Sequence, residues 1–254
     1  MGVINERVYL GVPTHDGRVG QGIVNALFGA GKTLDRVQIE TGSSLTFNFN
    51  NCYAQALNAR DGGYPGGGTP GKGITHFAML HEDIAPIGNG WLDRMVEIAN
   101  TAGADVLSVV MRLKTEDGKT STAIEEEDKD NPRNPLGFKA RKLTLEECYA
   151  KCGKDGGTWS EPGLLVNTGL MLVDIRKPWA DKVWFEFKDW LGCVSTGNPG
   201  SDGQKVYFPV SLAEDYGFSR MVRREGGRIF ATTQIGAIHC GGGRWSNVIV
   251  KKEG

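Results

Sequence analysis

Phe77-Ala78-Met79-Leu80-His81-Glu82-Asp83-Ile84-Ala85-Pro86 sets the frame for the whole chain. Four mostly apolar residues run directly into three ionisable ones. An apolar run this short reads as a strand buried on both faces. Its interior has no place for His81, Glu82 and Asp83, because unpaired buried charge is too costly. They are expected at the strand's carboxyl end, where open α/β sheets bind ligands. His81 and Asp83 lie two apart, so in an extended segment they point the same way. An imidazole and a carboxylate aimed at one spot make a candidate divalent-metal site. A polar cap with no ligand is the plainer alternative.

Upstream, Arg7–Pro13 reads as a first buried strand and Val19–Phe28 as a helix with a stripe of Ile23, Val24, Leu27 and Phe28. Asp35–Glu40 reads as a second strand. Strand, helix and strand with short joints predict a right-handed βαβ unit and a parallel sheet. Gly29-Ala30-Gly31-Lys32-Thr33 looks like the tail of a phosphate-binding loop. It fails the pattern twice: Ala26 stands where a glycine is needed, and the run follows a helix instead of opening one. Thr41–Asn51 is polar and reads as a lead-in to a helix over Asn50–Arg60, with Cys52, Ala56 and Leu57 inward. Residues 61–73 hold seven glycines and two prolines and read as a loop outside the core.

Downstream, Trp91–Asn100 has helical spacing with Gly103 as its stop, and Asp105–Met111 reads as another buried strand. Residues 115–142 are hydrophilic, and Glu125–Asp128 is expected on a solvated face. Thr144-Leu145-Glu146-Glu147 is a capping box. Cys148 and Cys152 follow at i, i+4; with no second pair to complete a zinc site, packed thiols are the simpler reading. Leu164–Val173 reads as two strand segments around a kink at Asn167–Gly169. Pro178 is expected to open an amphipathic helix carrying Val183, Phe187, Trp190 and Leu191. Residues 195–205 are again glycine-rich. Glu214–Asp215 opens a basic helix, and two strands follow, the second ending at His239.

The chain's 254 residues suffice for a sizeable core. A net charge of −1 excludes a global basic field of the kind that drives sequence-independent nucleic-acid binding. No apolar run reaches membrane-span length and no signal-type segment opens the sequence, so a cytoplasmic protein is expected. Five scattered cysteines fit reduced thiols.

In this order, the motifs resemble those of GT-A glycosyltransferases, most closely the inverting family-2-like members, over roughly residues 7–245. Val12-Pro13-Thr14 falls where such enzymes begin to cradle the nucleotide. Ser43-Ser44-Leu45, Phe49-Asn50-Asn51 and Ala54–Leu57 look like the segment before the central strand, with Asn50 where an arginine is usual. Leu80-His81-Glu82-Asp83-Ile84 is similar to the Asp-x-Asp strand end, with His81 in the first acidic place. Asn167-Thr168-Gly169 resembles the acceptor-side turn, and Glu214-Asp215 the Glu-Asp pair whose aspartate is the general base. Arg223–Gly226, Ile238-His239 and Gly241-Gly242 resemble the closing run whose histidine often binds metal.

The resemblance implies an α/β, mostly parallel mixed sheet flanked by helices in one domain, with residues 1–103 as a nucleotide-binding half and 104–254 as an acceptor-binding half. It implies a transfer of a sugar from a nucleotide-sugar donor, a UDP-sugar first, to an acceptor hydroxyl. Acceptors in such families range from glycans to hydroxymethylated DNA bases. Asp83, His239 and His81 would hold a divalent ion, manganese ahead of magnesium because of the imidazoles. Pro13, Thr14, Glu40, Asn51, Glu82 and Arg244 would contact the donor, with Arg244 on the diphosphate. Asn167, Glu214 and Trp245 would contact the acceptor, and Asp215 would take its proton, held charged by its place at a helix N-terminus. Two other readings stand beside this one. A nucleotidyltransferase would want a basic glycine-rich loop after the first strand, where only Arg18 is found. A non-catalytic nucleotide- or sugar-binding module would account for His81.

Overall fold

A computed structural model describes residues 6–60, 73–129, 136–153, 156–195, 205–241 and 243–249. Most of the two glycine-rich loops, at 61–72 and 196–204, lies outside these. The chain begins with β1 (Val8–Thr14), α1 (Gln21–Phe28), β2 (Leu34–Thr41) and α2 (Leu45–Arg60). It continues through β3 (His76–Leu80), β4 (Ile84–Pro86), α3 (Trp91–Ala102) and β5 (Val106–Val109). Then come β6 (Lys119–Glu127), β7 (Phe138–Thr144), α4 (Leu145–Cys152), β8 (Thr158–Trp159), β9 (Leu164–Leu165) and β10 (Leu170–Asp174). Last are β11 (Lys188–Ser195), β12 (Lys205–Leu212), α5 (Glu214–Arg224), β13 (Ile229–Thr232), β14 (Ala237–Cys240) and β15 (Arg244–Ser246).

Seven strands form one mixed sheet in the order β2-β1-β3-β10-β5-β13-β8. β1 runs parallel to β2 and β3, and β13 parallel to β5, as the βαβ reading requires. β10 enters antiparallel between β3 and β5, so the two halves of the sequence share one sheet. The expected fold class holds at this level: an α/β domain with a mixed sheet flanked by helices.

Strand alternation assigns the two faces. Val8, Leu10 and Val12 of β1 pack with Ala78 and Leu80 of β3 against Ile23 of α1 and Leu92, Met95 and Val96 of α3. Tyr9, Phe77 and Met79 face the other way, onto Phe49, Cys52, Tyr53 and Ala56 of α2 and Phe218 of α5. Every residue of β3 is buried, the apolar run Phe77–Leu80 together with His76 before it. Where α2 crosses β1 the backbones come close: a Cβ on Gly11 would lie 2.7 Å from Cys52 Cβ.

Four expectations fail. α1 buries only Ile23 and Ala26, and Phe28 at its end is exposed. α2 begins at Leu45, several residues early. Residues 115–142 are not simply a hydrophilic surface segment: β6 and β7 pair as a hairpin, and β9 adds to it. In that hairpin Glu125 is half-buried and bound to Arg223 at 2.6 Å. The helix expected from Pro178 is one tight turn, Ala180–Lys182, followed by extended chain. Val183 and Phe185 are buried with period two, and β11 pairs with β12. An aromatic stripe read at period 3.6 is there a ribbon at period 2.

The capping box at Thr144 forms, with both reciprocal bonds present. Burial pushes the Cys148 thiol up to about 12 and raises that of Cys152 as well. Both are free thiols and not metal-ready thiolates. The glycine run at 29–33 lies between α1 and β2, and its amides are already taken. Lys32 N and Thr33 N donate to the Asp93 carboxylate at 2.9 and 2.7 Å.

Replacing Gly11 by Ala is expected to cost about 1–3 kcal/mol, the usual range for overpacking. Urea unfolding would show a lower midpoint at unchanged slope; an unmoved midpoint would mean that α2 can back away from β1.

Candidate functional site

The carboxyl ends of β1, β2 and β3 converge on one side of the sheet. Asn48 ties two of them together: its side-chain amide donates to Thr14 O at 3.2 Å and to Gly42 O at 2.9 Å. Thr14 Oγ1 accepts from Gly17 N at 2.8 Å and closes the turn after β1. Between these ends lies a cavity of about 250 Å³, walled by Pro13, Thr14 and His15, by Gly42, Ser43 and Leu45, and by His81, Glu82 and Asp83. So the polar triplet stands where the burial argument put it.

The triplet is not extended. Ile84 N returns to His81 O at 3.0 Å, making a turn. The expectation that His81 and Asp83 point the same way therefore fails. His81 turns back into the molecule, with Nε2 3.4 Å from Thr168 Oγ1 and its ring 4.9 Å from that of Phe49. Burial pushes its imidazole down to about 4, so it is neutral. Asp83 turns outward.

What meets Asp83 comes from the far end of the chain. β4 continues directly after the triplet and pairs antiparallel with β14, placing His239 opposite Ile84. Cys240 N donates to Asp83 O at 2.6 Å. His239 Nε2 then lies 3.2 Å from Asp83 Oδ2. Lys114 Nζ lies 2.6 Å from the same oxygen. Burial works against the Asp83 charge, yet the bonds from His239 and Lys114 prevail and hold its carboxyl well below the usual carboxylate range.

His239 Nδ1 is 2.9 Å from Arg112 O. A carbonyl only accepts, so Nδ1 carries the hydrogen. In a neutral ring Nε2 then offers a lone pair to a carboxylate oxygen, and two acceptors 3.2 Å apart require a proton or a cation between them. Anchoring to a carbonyl is a feature of metal-binding histidines, and the same geometry also makes an imidazolium–carboxylate ion pair. These two residues could serve a divalent ion only by giving up the Lys114 contact on the same carboxylate oxygen. They are a pair and not a cage: among the described residues no three His, Cys, Asp or Glu side chains group closely enough to hold one.

No known family profile matches the chain, and no curated protein sequence matches it. The fold does have a solved counterpart. The crystal structure of A197 from STIV is similar, with a TM-score of 0.51 and 15% identity, over 92% of this chain and 85% of that one. At that identity the likeness speaks for the fold alone.

The remaining candidates divide. Asn167 is buried and fully engaged: Nδ2 donates to Val109 O at 2.9 Å, and Oδ1 accepts from Gly169 N at 3.1 Å. It shapes the kink from a buried position. Glu40 lies off the cavity wall and accepts from Gln38 Nε2 at 2.6 Å. Asn51 is half-buried on α2, also off that wall. Glu82 is exposed on it. Arg244 is exposed and pairs opposite Cys240, whereas Trp245 pairs opposite His239 and so shares its face.

Asp215 begins α5 with Glu214, as the sequence implied. Ser219, one turn on, bonds Val166 N at 3.1 Å, mooring the helix to the segment that leads through Thr168 to His81. Its charge state differs from expectation. Burial, reinforced by Glu214, pushes the Asp215 carboxyl up to about 7, overriding the helix N-terminus that should keep it ionised. Three residues that matter here escaped the sequence reading. Arg112 and Lys114 belong to an unpatterned segment after β5, and only the fold brings them to His239. Phe185 links Phe49 to Phe218, at centroid distances of 5.5 and 4.5 Å, and so joins α5 to His81.

A carboxyl at about 7 in the folded state and about 3.9 in the unfolded chain makes the folded state the one that holds the proton between those values. Stability then falls as pH rises from about 4 to about 7. Asp215→Asn is expected to melt higher than wild type at pH 8, by about 2–4 °C for each ~1 kcal/mol relieved, and equally at pH 4. Equal melting at both pH values would show that the carboxyl is not desolvated.

Proposed function

We propose that the chain is a metal-dependent glycosyltransferase of the GT-A type that moves a sugar from a nucleotide donor to an acceptor hydroxyl with inversion. The observation that carries this is the Asp83–His239 pair at 3.2 Å, on the rim of a cavity built by the carboxyl ends of β1, β2 and β3. Ligands of open α/β sheets bind at that end of the strands, and 250 Å³ between Pro13, Ser43 and Glu82 suits part of a nucleoside.

Asp83 and His239 would hold the divalent ion, with donor phosphates completing its shell, as expected where a protein supplies few ligands. One imidazole ligand favours manganese over magnesium. The bound ion would neutralise charge on the departing diphosphate. The other parts belong to the chain. Pro13, Thr14 and Ser43 would seat the nucleoside. His81, neutral and braced by Phe49 and Thr168, would shape the sugar end of the cleft and not bind metal. Asp215 would take the acceptor proton as the hydroxyl oxygen attacks the anomeric carbon. Asp215 does not line the cavity, so the acceptor would have to span from this carboxyl to the donor; burial lifts the carboxyl towards the operating pH, where a general base works best. Transfer should then rise with pH through about 7.

A thermal-shift panel of UDP-, GDP- and dTDP-sugars, with and without manganese, tests the reading. One nucleotide sugar should stabilise the protein in a metal-dependent way, by about 2.7 kcal/mol at about 100 times its Kd. Asp83→Ala should abolish the metal dependence. Asp215→Asn should keep the shift and lose transfer by about 100-fold or more. Metal-independent shifts, or an Asp215→Asn variant with full transfer, would sink it.

A further inference from the structure

Beside His239 lies a group of hydrogen-bond donors without acceptors. Arg112 bridges to Thr120, Leu113 N donates to Lys119 O, and Lys114 stands at the bend that follows. Lys114 reaches Asp83. The Arg112 guanidinium lies over the Trp245 ring, 5.3 Å from its centroid. Arg112 Nε and Trp245 Nε1 are both buried, and neither has a partner among the described residues. Arg112 forms no ion pair there either.

Orphaned buried donors are rare in folded proteins and call for an explanation. Here two of them sit in one stacked pair, next to a second cation. The group comprises one carboxylate, one imidazole, two cations and an indole N–H. Its two cations exceed the single charge of Asp83, and its two orphaned groups, Arg112 Nε and Trp245 Nε1, are both donors. Such a site takes an oxyanion with several acceptor oxygens. Lys114 lies close against Gly241: a Cβ there would stand 2.7 Å from its Nζ, so glycine is what lets the lysine reach Asp83.

We infer that Arg112, Lys114 and the indole N–H of Trp245 form an oxyanion site for the phosphoryl oxygens of the donor's diphosphate. This rests on the glycosyltransferase reading and replaces Arg244, which the sequence favoured, with residues from the β5–β6 connection. Arg112 supplies the fixed donors, held by the indole ring beneath it. Lys114 is the second charge and would exchange Asp83 for a phosphoryl oxygen.

Inorganic pyrophosphate titrated calorimetrically at low ionic strength with EDTA present reads this site apart from metal and turnover. Wild type should bind it. Arg112→Gln should weaken binding by about tenfold or more, the loss of a charge-assisted contact. Trp245→Phe, which keeps the ring and removes the N–H, should weaken it by about threefold or more. Arg244→Gln should lose less than either. If Arg112→Gln does not fold, as judged by its melting curve, Lys114→Gln and Trp245→Phe decide the matter by the same titration. No pyrophosphate binding by wild type at millimolar concentration overturns the proposal, and so does a larger loss in Arg244→Gln than in Arg112→Gln. Arg112-dependent pyrophosphate binding without sugar-nucleotide turnover would keep the oxyanion site and sink glycosyl transfer. Turnover together with wild-type pyrophosphate affinity in Arg112→Gln would do the reverse.

Discussion

A strand buried on both faces has no room for a charged side chain before its end, and β3 imposes that constraint on everything around it: its own His76 is pushed down to about 4 by burial. Five consecutive buried residues, His76–Leu80, leave the main chain no option but to turn at His81. The turn sends Asp83 outward and launches β4 away from the main sheet. β4 in turn supplies the edge on which β14 pairs, and that pairing delivers His239. The contact between Asp83 and a residue 156 positions later is thus a consequence of packing the centre of the sheet.

Much of the frame could be read from spacing alone. β1, β2, β3, α3, α4, β5, α5 and β13 follow from apolar runs, 3.6-residue stripes, a capping box and glycine stops. The failures cluster where period and composition mislead. Phe187, Trp190 and Leu191 satisfy a helical stripe, yet the neighbouring Val183 and Phe185 alternate, and pairing with β12 decides for strand. Ser43, Ser44 and Asn48 look like loop, but Asn48 is a buried clamp between the ends of β1 and β2. The acidic run of β6 looks solvated because its partner Arg223 is nearly a hundred residues away.

The site was legible as residue types and order, not as directions. Asp83, His239 and Asp215 stand at the predicted ends of elements. The orientation of His81, however, depends on a turn that no periodicity reports. Arg112 and Lys114 carry no motif and become visible only through His239 and Trp245. Asp215 shows the limit of local electrostatics. Its helix terminus argues for charge, but burial beside Glu214 outweighs the dipole.

The turn at Lys32–Thr33 lies at the other end of the strands, where β2 begins. Asp93 occupies it as a built-in counter-ion: its carboxylate takes both amides and the Thr33 hydroxyl. The chain has therefore stoppered its most phosphate-like turn with one of its own side chains. An anion arriving from solvent meets a filled nest at that turn.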